Sequence, residues 1–379
     1  MPKVSVVIPN YNHGRYIAET IDHVIRQTFT DWELIVVDDG STDASLEILS
    51  QCQPRVTVLR GEHKGVSAAR NRAIEATDSE YIAFMDADDL CEARRFELQL
   101  HQIEEQNLDL AASALSFIDE QGWPIPGLWT CPPNARKDYW ASLLERNWIG
   151  TPSVMLRRTA LRSSVAFDET FTHAEDYDLW LRVGRSNSIG YVDAPLIQCR
   201  RHSANASIDI ESHQHFERKA LQKVDPKEAW EAFGRLHSGG EARDEAWVGF
   251  LLRSESGSFL EEAHDALGRN PRSSALRFAL GVFHYDSGQY EKARATFLGI
   301  HEQDAASVNN AGVTSALCGD VAEAISKLGD ALRLQPGYYD ARYNLDALHN
   351  GNRLRITRRP LRTSLVPMRE TSRKAPRPN

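Results

Sequence analysis

The sequence has little of what marks a secreted, membrane-spanning or metal-stapled chain. Its five cysteines (Cys52, Cys91, Cys131, Cys199, Cys318) are odd in number, scattered, and never spaced as Cys-x-x-Cys. That excludes a simple disulfide framework or a structural zinc site and points to a reducing compartment. No apolar run approaches the ~18 residues that a spanning helix needs. Met1-Pro2-Lys3 leads straight into Val4-Ser5-Val6-Val7-Ile8, without the apolar stretch of a signal peptide. The expectation is a cytoplasmic protein, peripheral at most at the inner face of a membrane. Positive charge is in deficit too, with 44 Lys and Arg against 53 Asp and Glu for a net −9. An acidic chain lacks the clustered positive charge that a nucleic-acid backbone requires, so no nucleic-acid partner is expected.

What is present exceeds one domain: 379 residues, 41% of them hydrophobic, suit a catalytic-sized globular domain with a smaller companion. The first part alternates two periodicities. Short β-branched runs at residues 3–9, 33–37, 56–59, 80–85 and 109–115 predict buried parallel strands. Helical patterns lie between them, as in Ile17, Ile21, Val24 and Ile25, and again over residues 44–50, 66–76 and 93–105. This alternation predicts an α/β domain, a mostly parallel sheet with helices on both faces. Such sheets bind ligands beyond the carboxyl ends of their strands, which directs attention to residues 10–14, 38–43 and 86–89. Residues 120–150 read as irregular and rich in Trp and Pro, with most of the tryptophans as core. A helix is expected over 177–185 and strands at 190–192 and 196–200.

From about Glu211 the strand signals vanish. Ala279-Leu280-Gly281, Asp286-Ser287-Gly288 and Glu291-Lys292-Ala293 recur 31 residues later around Gly312, Gly319 and Ala324. Helix pairs of this period resemble tetratricopeptide repeats, which present a concave face to peptides or pair two chains into a homodimer. The organisation expected is a catalytic domain over 1–210, a helical linker over 211–240, an all-α repeat domain over 241–351 and a tail over 352–379. That tail holds nine basic residues against the single Glu370, a net +8 that leaves −17 for the remainder. Its composition predicts disorder, with contact to a membrane surface as a second use.

Familiar phosphate folds are missing. A dinucleotide-binding domain needs GxGxxG after its first strand, whereas Pro9-Asn10-Tyr11-Asn12-His13-Gly14 offers one glycine. No Gly-Lys pair exists for a P-loop, and Asp86-Ala87-Asp88-Asp89 is followed by Leu90, not by the Thr or Val of a haloacid dehalogenase phosphatase. Yet two acidic clusters, Asp38-Asp39 with Asp43 and Asp86 with Asp88-Asp89, fall on neighbouring strand ends. One such cluster is easily a cap or a turn. Two packed together repel, and require a cation or hydrogen-bond donors to persist. Asp86 and Asp88 suit a hard divalent cation that also holds phosphate oxygens.

The ordered motifs Val6-Val7-Ile8-Pro9-Asn10-Tyr11-Asn12, Val37-Asp38-Asp39-Gly40-Ser41-Thr42-Asp43, Gly65-Val66-Ser67-Ala68-Ala69-Arg70-Asn71, Tyr81-Ile82-Ala83-Phe84-Met85-Asp86-Ala87-Asp88-Asp89 and Glu175-Asp176-Tyr177-Asp178-Leu179-Trp180-Leu181-Arg182 resemble the inverting glycosyltransferase family 2 with its GT-A fold. The resemblance spans about residues 3–207. It implies that Pro9 and Tyr11 line a nucleobase pocket and that Asp39 accepts from the base. Arg70 would pair with the nucleotide and Asp86 approach the ribose. Asp38 is expected to organise its turn. The resemblance further implies Asp88 as ligand for Mg²⁺ or Mn²⁺ on the diphosphate, with His202 as a further metal contact. Asp176 would be the base that deprotonates the acceptor, with Glu175 as its alternate. Arg200-Arg201-His202 with Ser207 resembles the family's Tyr-Arg-x-His…Ser element, except that Cys199 replaces the tyrosine. The donor implied is a UDP-sugar and the acceptor a cell-surface glycan or glycolipid. A peptide acceptor bound by the repeats is the alternative, a decayed non-catalytic scaffold a third reading, and a nucleotidyltransferase, which leaves Glu175-Asp176 without a use, a fourth.

Overall fold

Val4-Ser5-Val6-Val7-Ile8 opens strand β1 (Val4–Asn10), which is buried on both faces and therefore reads as a continuous apolar run. The computed structural model describes residues 1–52, 56–161, 166–202 and 209–358. Strands β2 (Trp32–Asp38), β3 (Val56–Arg60) and β4 (Tyr81–Phe84) join β1 in parallel, in the order β3-β2-β1-β4. Three helices connect them, α1 (Ile17–Ile25), α2 (Ser45–Gln51) and α3 (Val66–Glu75). The apolar stripe Ile17, Ile21 and Val24 of α1 packs into the core formed with Val4, Val6 and Ile8. Because β1, β2 and β4 are parallel neighbours, their carboxyl ends open on one edge of the sheet.

Beyond β4 the sheet departs from the expected mostly parallel pattern. The elements that follow are β5 (Leu90–Cys91), α4 (Arg95–Glu105), β6 (Leu110–Ile118), β7 (Pro124–Trp129), α5 (Tyr139–Glu145), β8 (Met155–Arg157), α6 (Glu175–Gly184) and β9 (Ile189–Arg200). The order continues β4-β8-β6-β9-β5, with β7 on β6. Among the described residues only β6–β9 is parallel in this half; β4–β8, β6–β8, β6–β7 and β5–β9 are antiparallel. Antiparallel neighbours need no crossover helix, so helix–strand alternation in the sequence could not announce them. The two short strands expected at 190–192 and 196–200 are one strand. Pro195 interrupts its apolar run, and the register against β6 shifts there between Ser113 and Leu115.

The segment expected to be irregular holds β7 and α5. Its tryptophans divide: Trp140 and Trp148 are buried, the Trp129 indole donates to the Trp148 carbonyl at 2.6 Å, and Trp123 is exposed.

Two compact units, Met1–Leu236 and His237–Asn379, divide the chain. The boundary therefore lies beyond the expected 210. Helices α7 (Ile210–Leu221) and α8 (Pro226–Leu236), read from sequence as a linker, belong to the first unit. The Lys223 Nζ meets Asp178 Oδ1 at 2.6 Å and Arg235 Nε meets Asp138 Oδ2 at 2.7 Å. Such surface-to-surface ion pairs leave no periodicity in a sequence.

The second unit comprises α9 (Gly240–Arg253), α10 (Phe259–Arg269), α11 (Ser274–Asp286), α12 (Tyr290–Leu298), α13 (Ala305–Leu317), α14 (Val321–Leu334) and α15 (Tyr339–Asn350). The 31-residue echo has a physical cause. A Cβ on Gly281 of α11 would stand 2.6 Å from the Phe297 ring of α12, and one on Gly312 of α13 would stand 3.0 Å from Leu328 of α14. In both pairs a small residue lets the helices approach. Gly288 (φ +71°) and Gly319 (φ +88°) supply the left-handed residue that ends the first helix of each pair. Residues 352–358 contradict the expected disorder: they run extended over these helices with Ile356 and Thr357 buried. Residues 359–379, the rest of the basic tail, lie outside the described residues.

Candidate active site

The turn after β1 carries Tyr11, Asn12 and His13. Asn12 adopts a left-handed conformation (φ 58°), which an asparagine tolerates better than most side chains. Its Oδ1 accepts from Thr42 N at 2.8 Å, and Ser41 Oγ accepts from its backbone N–H at 3.0 Å, so the turns after β1 and β2 are stitched together. Asp38 organises the second turn as expected, accepting from Asn10 Nδ2 at 2.8 Å and from Ser41 N at 3.0 Å. Asp39 is buried; it accepts from Lys64 N and Gly65 N, both at 2.8 Å, and meets His63 Nδ1 at 2.8 Å. The His63 ring stacks on Tyr11 with centroids 4.0 Å apart, on an aromatic that is itself exposed beside Pro9. Tyr11, His63 and Asp39 are thus together, with His63 lying against the Tyr11 face.

At the end of β4 the chain turns through Asp86-Ala87-Asp88-Asp89. Two buried arginines set this turn. Arg95 of α4 donates to the Phe84 carbonyl at 2.9 Å and the Val154 carbonyl at 3.2 Å, fixing the strand's last residue. Arg200, at the end of β9, donates from Nε to the Asp88 carbonyl at 2.8 Å, while its backbone N–H donates to Asp89 Oδ1 at 2.8 Å. Two residues on, His202 Nε2 meets Asp88 Oδ2 at 2.8 Å. His13 joins them: ligand atoms of His13, Asp88 and His202 lie within 4.8 Å of one another. Burial opposes charge on Asp88, but the His202 contact and His13 more than offset it and hold its pKa below the usual carboxylate range. Burial raises the neighbouring Asp89 well above that range, helped by Asp88 and Asp86, so the two adjacent carboxyls are pushed in opposite directions. Two imidazoles and a carboxylate converging at this spacing form a candidate site for a divalent cation.

Arg70 of α3 links this turn to the head of α6. Its guanidinium is almost wholly buried, sits 5.2 Å from the Phe167 ring centroid, and donates from Nη2 to Asp86 Oδ1 at 2.8 Å and from Nη1 to Glu175 Oε1 at 2.7 Å. Arg70 therefore holds two protein carboxylates. Burial opposes its charge, but these carboxylates outweigh that and raise its pKa; burial outweighs Arg70 at Asp86 and pushes that acid up.

Ala174 enters α6 in the left-handed region (φ 53°), a conformation that costs a non-glycine residue roughly 1 kcal/mol or more. The strained residue aims Glu175 and Asp176 off the helix end. Asp176 accepts from Thr151 Oγ1 at 3.1 Å and from Tyr177 N at 2.6 Å, with Asn147 Nδ2 at 3.4 Å. Burial first, and the Glu175 carboxylate second, push its pKa up to about 7. A carboxylate of that basicity at the head of a helix is suited to take a proton near neutral pH.

Of the residues expected in the site, Pro9, Tyr11, Asp39, Asp86 and Asp88 lie at or just beyond the carboxyl ends of β1, β2 and β4, His202 just beyond the end of β9, Arg70 on α3, and Glu175 and Asp176 in the first turn of α6; Ser207 is outside the described residues. The sequence reading missed His13, although it had singled out the turn containing it. It also missed His63 and the tethering roles of Arg95 and Arg200; no spacing connects His63 to Asp39, 24 residues away.

Residues 5–163 match the family model Glycosyl transferase family 2. Among curated relatives, the UDP-Glc:alpha-D-GlcNAc-diphosphoundecaprenol beta-1,3-glucosyltransferase WfgD of Escherichia coli is 31% identical over 218 residues, 57% of this chain and 83% of that protein. The chondroitin synthase of Escherichia coli is 30% identical over 57% of this chain, which spans 32% of that longer protein. A crystal structure of S. aureus TarS 1-349 in complex with UDP-GlcNAc superposes with TM-score 0.51 at 18% identity, over 89% of this chain and 93% of that one, a likeness of fold. With those motifs on one sheet edge, and a glycosyltransferase relative matched along most of its length, this chain belongs to glycosyltransferase family 2.

Proposed function

We propose that this chain transfers a sugar from a UDP-sugar to a cell-surface glycan or glycolipid acceptor, with inversion and with a divalent cation. The observation that carries the reading is the bridge through Arg70. It ties the turn that bears Asp88 and its two imidazoles to the helix end where the pKa of Asp176 is pushed up to about 7. The first is chemistry for a leaving diphosphate, the second for an attacking hydroxyl. The relative named for a UDP-Glc donor and a diphosphoundecaprenol-linked acceptor supports both ends of the reaction.

In this mechanism Tyr11, Pro9 and Asp39 receive the uracil, with His63 displaced from the Tyr11 face, and Asp86 is placed for the ribose. Asp88, His202 and His13 would hold the cation, which neutralises charge on the diphosphate. Asp176 accepts the acceptor hydroxyl's proton as that oxygen attacks the anomeric carbon. The new C–O bond forms on one face while the bond to the β-phosphate oxygen breaks on the other, its electron pair leaving with UDP. Attack from the opposite face is what inverts the configuration. Glu175, held by Arg70, stands beside Asp176 and adds to the rise of its pKa. We read the second unit as tetratricopeptide-like, on the recurrence of Gly281 and Gly312.

The test is a screen of UDP release over a panel of UDP-sugars with Mn²⁺ or Mg²⁺, with lipid-linked and soluble glycan acceptors. Turnover of one donor that EDTA stops supports the reading. Turnover that persists in EDTA removes the cation from it. Absence of both turnover and UDP binding would leave the scaffold.

A further inference from the structure

In the second unit, buried asparagines do something the packing of helices does not require. Asn309 and Asn310 of α13 and Asn344 of α15 are all fully buried. Asn310 donates from Nδ2 to the Thr357 carbonyl and accepts from the Thr357 N–H, both at 2.7 Å. Asn344 treats Arg355 the same way, at 2.7 Å to the carbonyl and 2.8 Å from the N–H. Tyr343 Oη donates to the Arg353 carbonyl at 3.1 Å. Residues 353, 355 and 357 are thus met through their backbone along one edge, the period of an extended strand. Asn309 braces the pair, accepting from Asn344 at 2.9 Å and donating to Asn310 at 3.2 Å.

Residues 354, 356 and 358 present side chains to other partners. Leu354 and Ile356 pack into the apolar core of the unit. The Arg358 guanidinium makes a fork with both oxygens of Asp286, at 2.6 and 2.7 Å. The Thr357 hydroxyl, fully buried, donates to Asp340 and pairs with Tyr338 Oη. This is peptide recognition in its usual division of labour: backbone hydrogen bonds hold the strand, and pockets read alternate side chains.

We propose that the groove of α13 and α15 is a binding site for an extended peptide of the pattern apolar-x-apolar-Thr-Arg, and that residues 353–358 are its built-in, exchangeable occupant. The segment has no secondary structure of its own to hold it, and it hangs from Gly351, whose left-handed φ of +69° ends α15. A buried asparagine left without its partner is costly, so the groove exchanges one strand for another and does not stand open. Asp286 and Asp340 give it the charge that suits a basic peptide. The inference is independent of the transfer reaction proposed above.

The test uses the full chain and a fluorescent peptide copying residues 352–358. Ile356→Asp with Thr357→Lys expels the chain's own segment. This double variant is expected to bind the peptide at least tenfold more tightly than wild type, and adding Asn310→Ala and Asn344→Ala is expected to reverse that gain. A variant that keeps its cooperative helical unfolding yet binds no better than wild type overturns the proposal. Should the double variant unfold, a protease site inserted between Gly351 and Asn352 decides. After cleavage, excess labelled peptide is expected to replace the severed segment, as read by native mass spectrometry. A severed segment that stays against a hundredfold excess, or that leaves with no peptide taking its place, shows a fixed cap and no binding site.

Discussion

Asp176→Asn separates the chemistry of the carboxylate from its effect on stability. In the folded protein Asp176 holds its proton up to about pH 7, whereas in the unfolded chain it loses it near its ordinary value of 3.8. Between those values the folded state binds more protons than the unfolded state, so stability falls as pH rises from about 4 to about 7 and is level above. Roughly three pKa units at 1.36 kcal/mol each set a ceiling of about 4 kcal/mol. Asp176 is only partly buried, so solvent screens it and about 2 kcal/mol is the better expectation. Asparagine carries no such penalty. The variant should match wild type near pH 4 and exceed it by ~2 kcal/mol at pH 8, about 4–8 °C in the melting of a unit this size. Tryptophan fluorescence reads the right unit, because every tryptophan except Trp247 lies in it. Transfer should be lost at every pH, since an amide cannot take the proton, while wild-type turnover rises through about pH 7. A variant less stable than wild type at pH 8, or a gap that does not open with pH, would refute the account of Asp176.

Arg70→Ala leaves Asp86 and Glu175 without their shared cation and should cost about 3–5 kcal/mol in urea unfolding. Arg70→Lys should fold better yet lose turnover, because an ammonium lacks the planar fork. His13→Ala should weaken Mn²⁺ binding, measured by calorimetry, at least as much as the 10–100-fold typical of residues one step removed from a metal; unchanged affinity would remove His13 from the donor set. Tyr11→Ala should weaken UDP binding by about 1–3 kcal/mol, the worth of one stacked base, with thermal stability unaltered. Gly281→Ala forces a methyl against the Phe297 ring and should cost about 1–3 kcal/mol in unfolding of the second unit.

The parallel half of the sheet and the position of the acidic turns at its edge were legible because they rest on local signals. β1, β2 and β4 are continuous β-branched runs, and the acidic turns follow them directly. β7, β8 and the single long β9 were not, since short antiparallel strands and a proline-interrupted one carry weak periodicity. Asp38, Asp88 and Asp176 could be read from their motifs. The double duty of Arg70 could not, because it depends on residues 16 and 105 positions away being brought to one guanidinium. The tail was misread for a related reason: its composition is that of a disordered segment, and the asparagines that order residues 353–357 are 11 and 47 residues distant.

Arg70 has one more consequence. The guanidinium is flat and stiff, and its two terminal nitrogens are a fixed distance apart. By gripping Asp86 with one and Glu175 with the other, it acts as a ruler laid between the turn after β4 and the head of α6. Two independent side chains meeting there would each add their own rotations to that gap. A single planar group adds no rotation between its own two nitrogens, so both ends answer to one stiff tie.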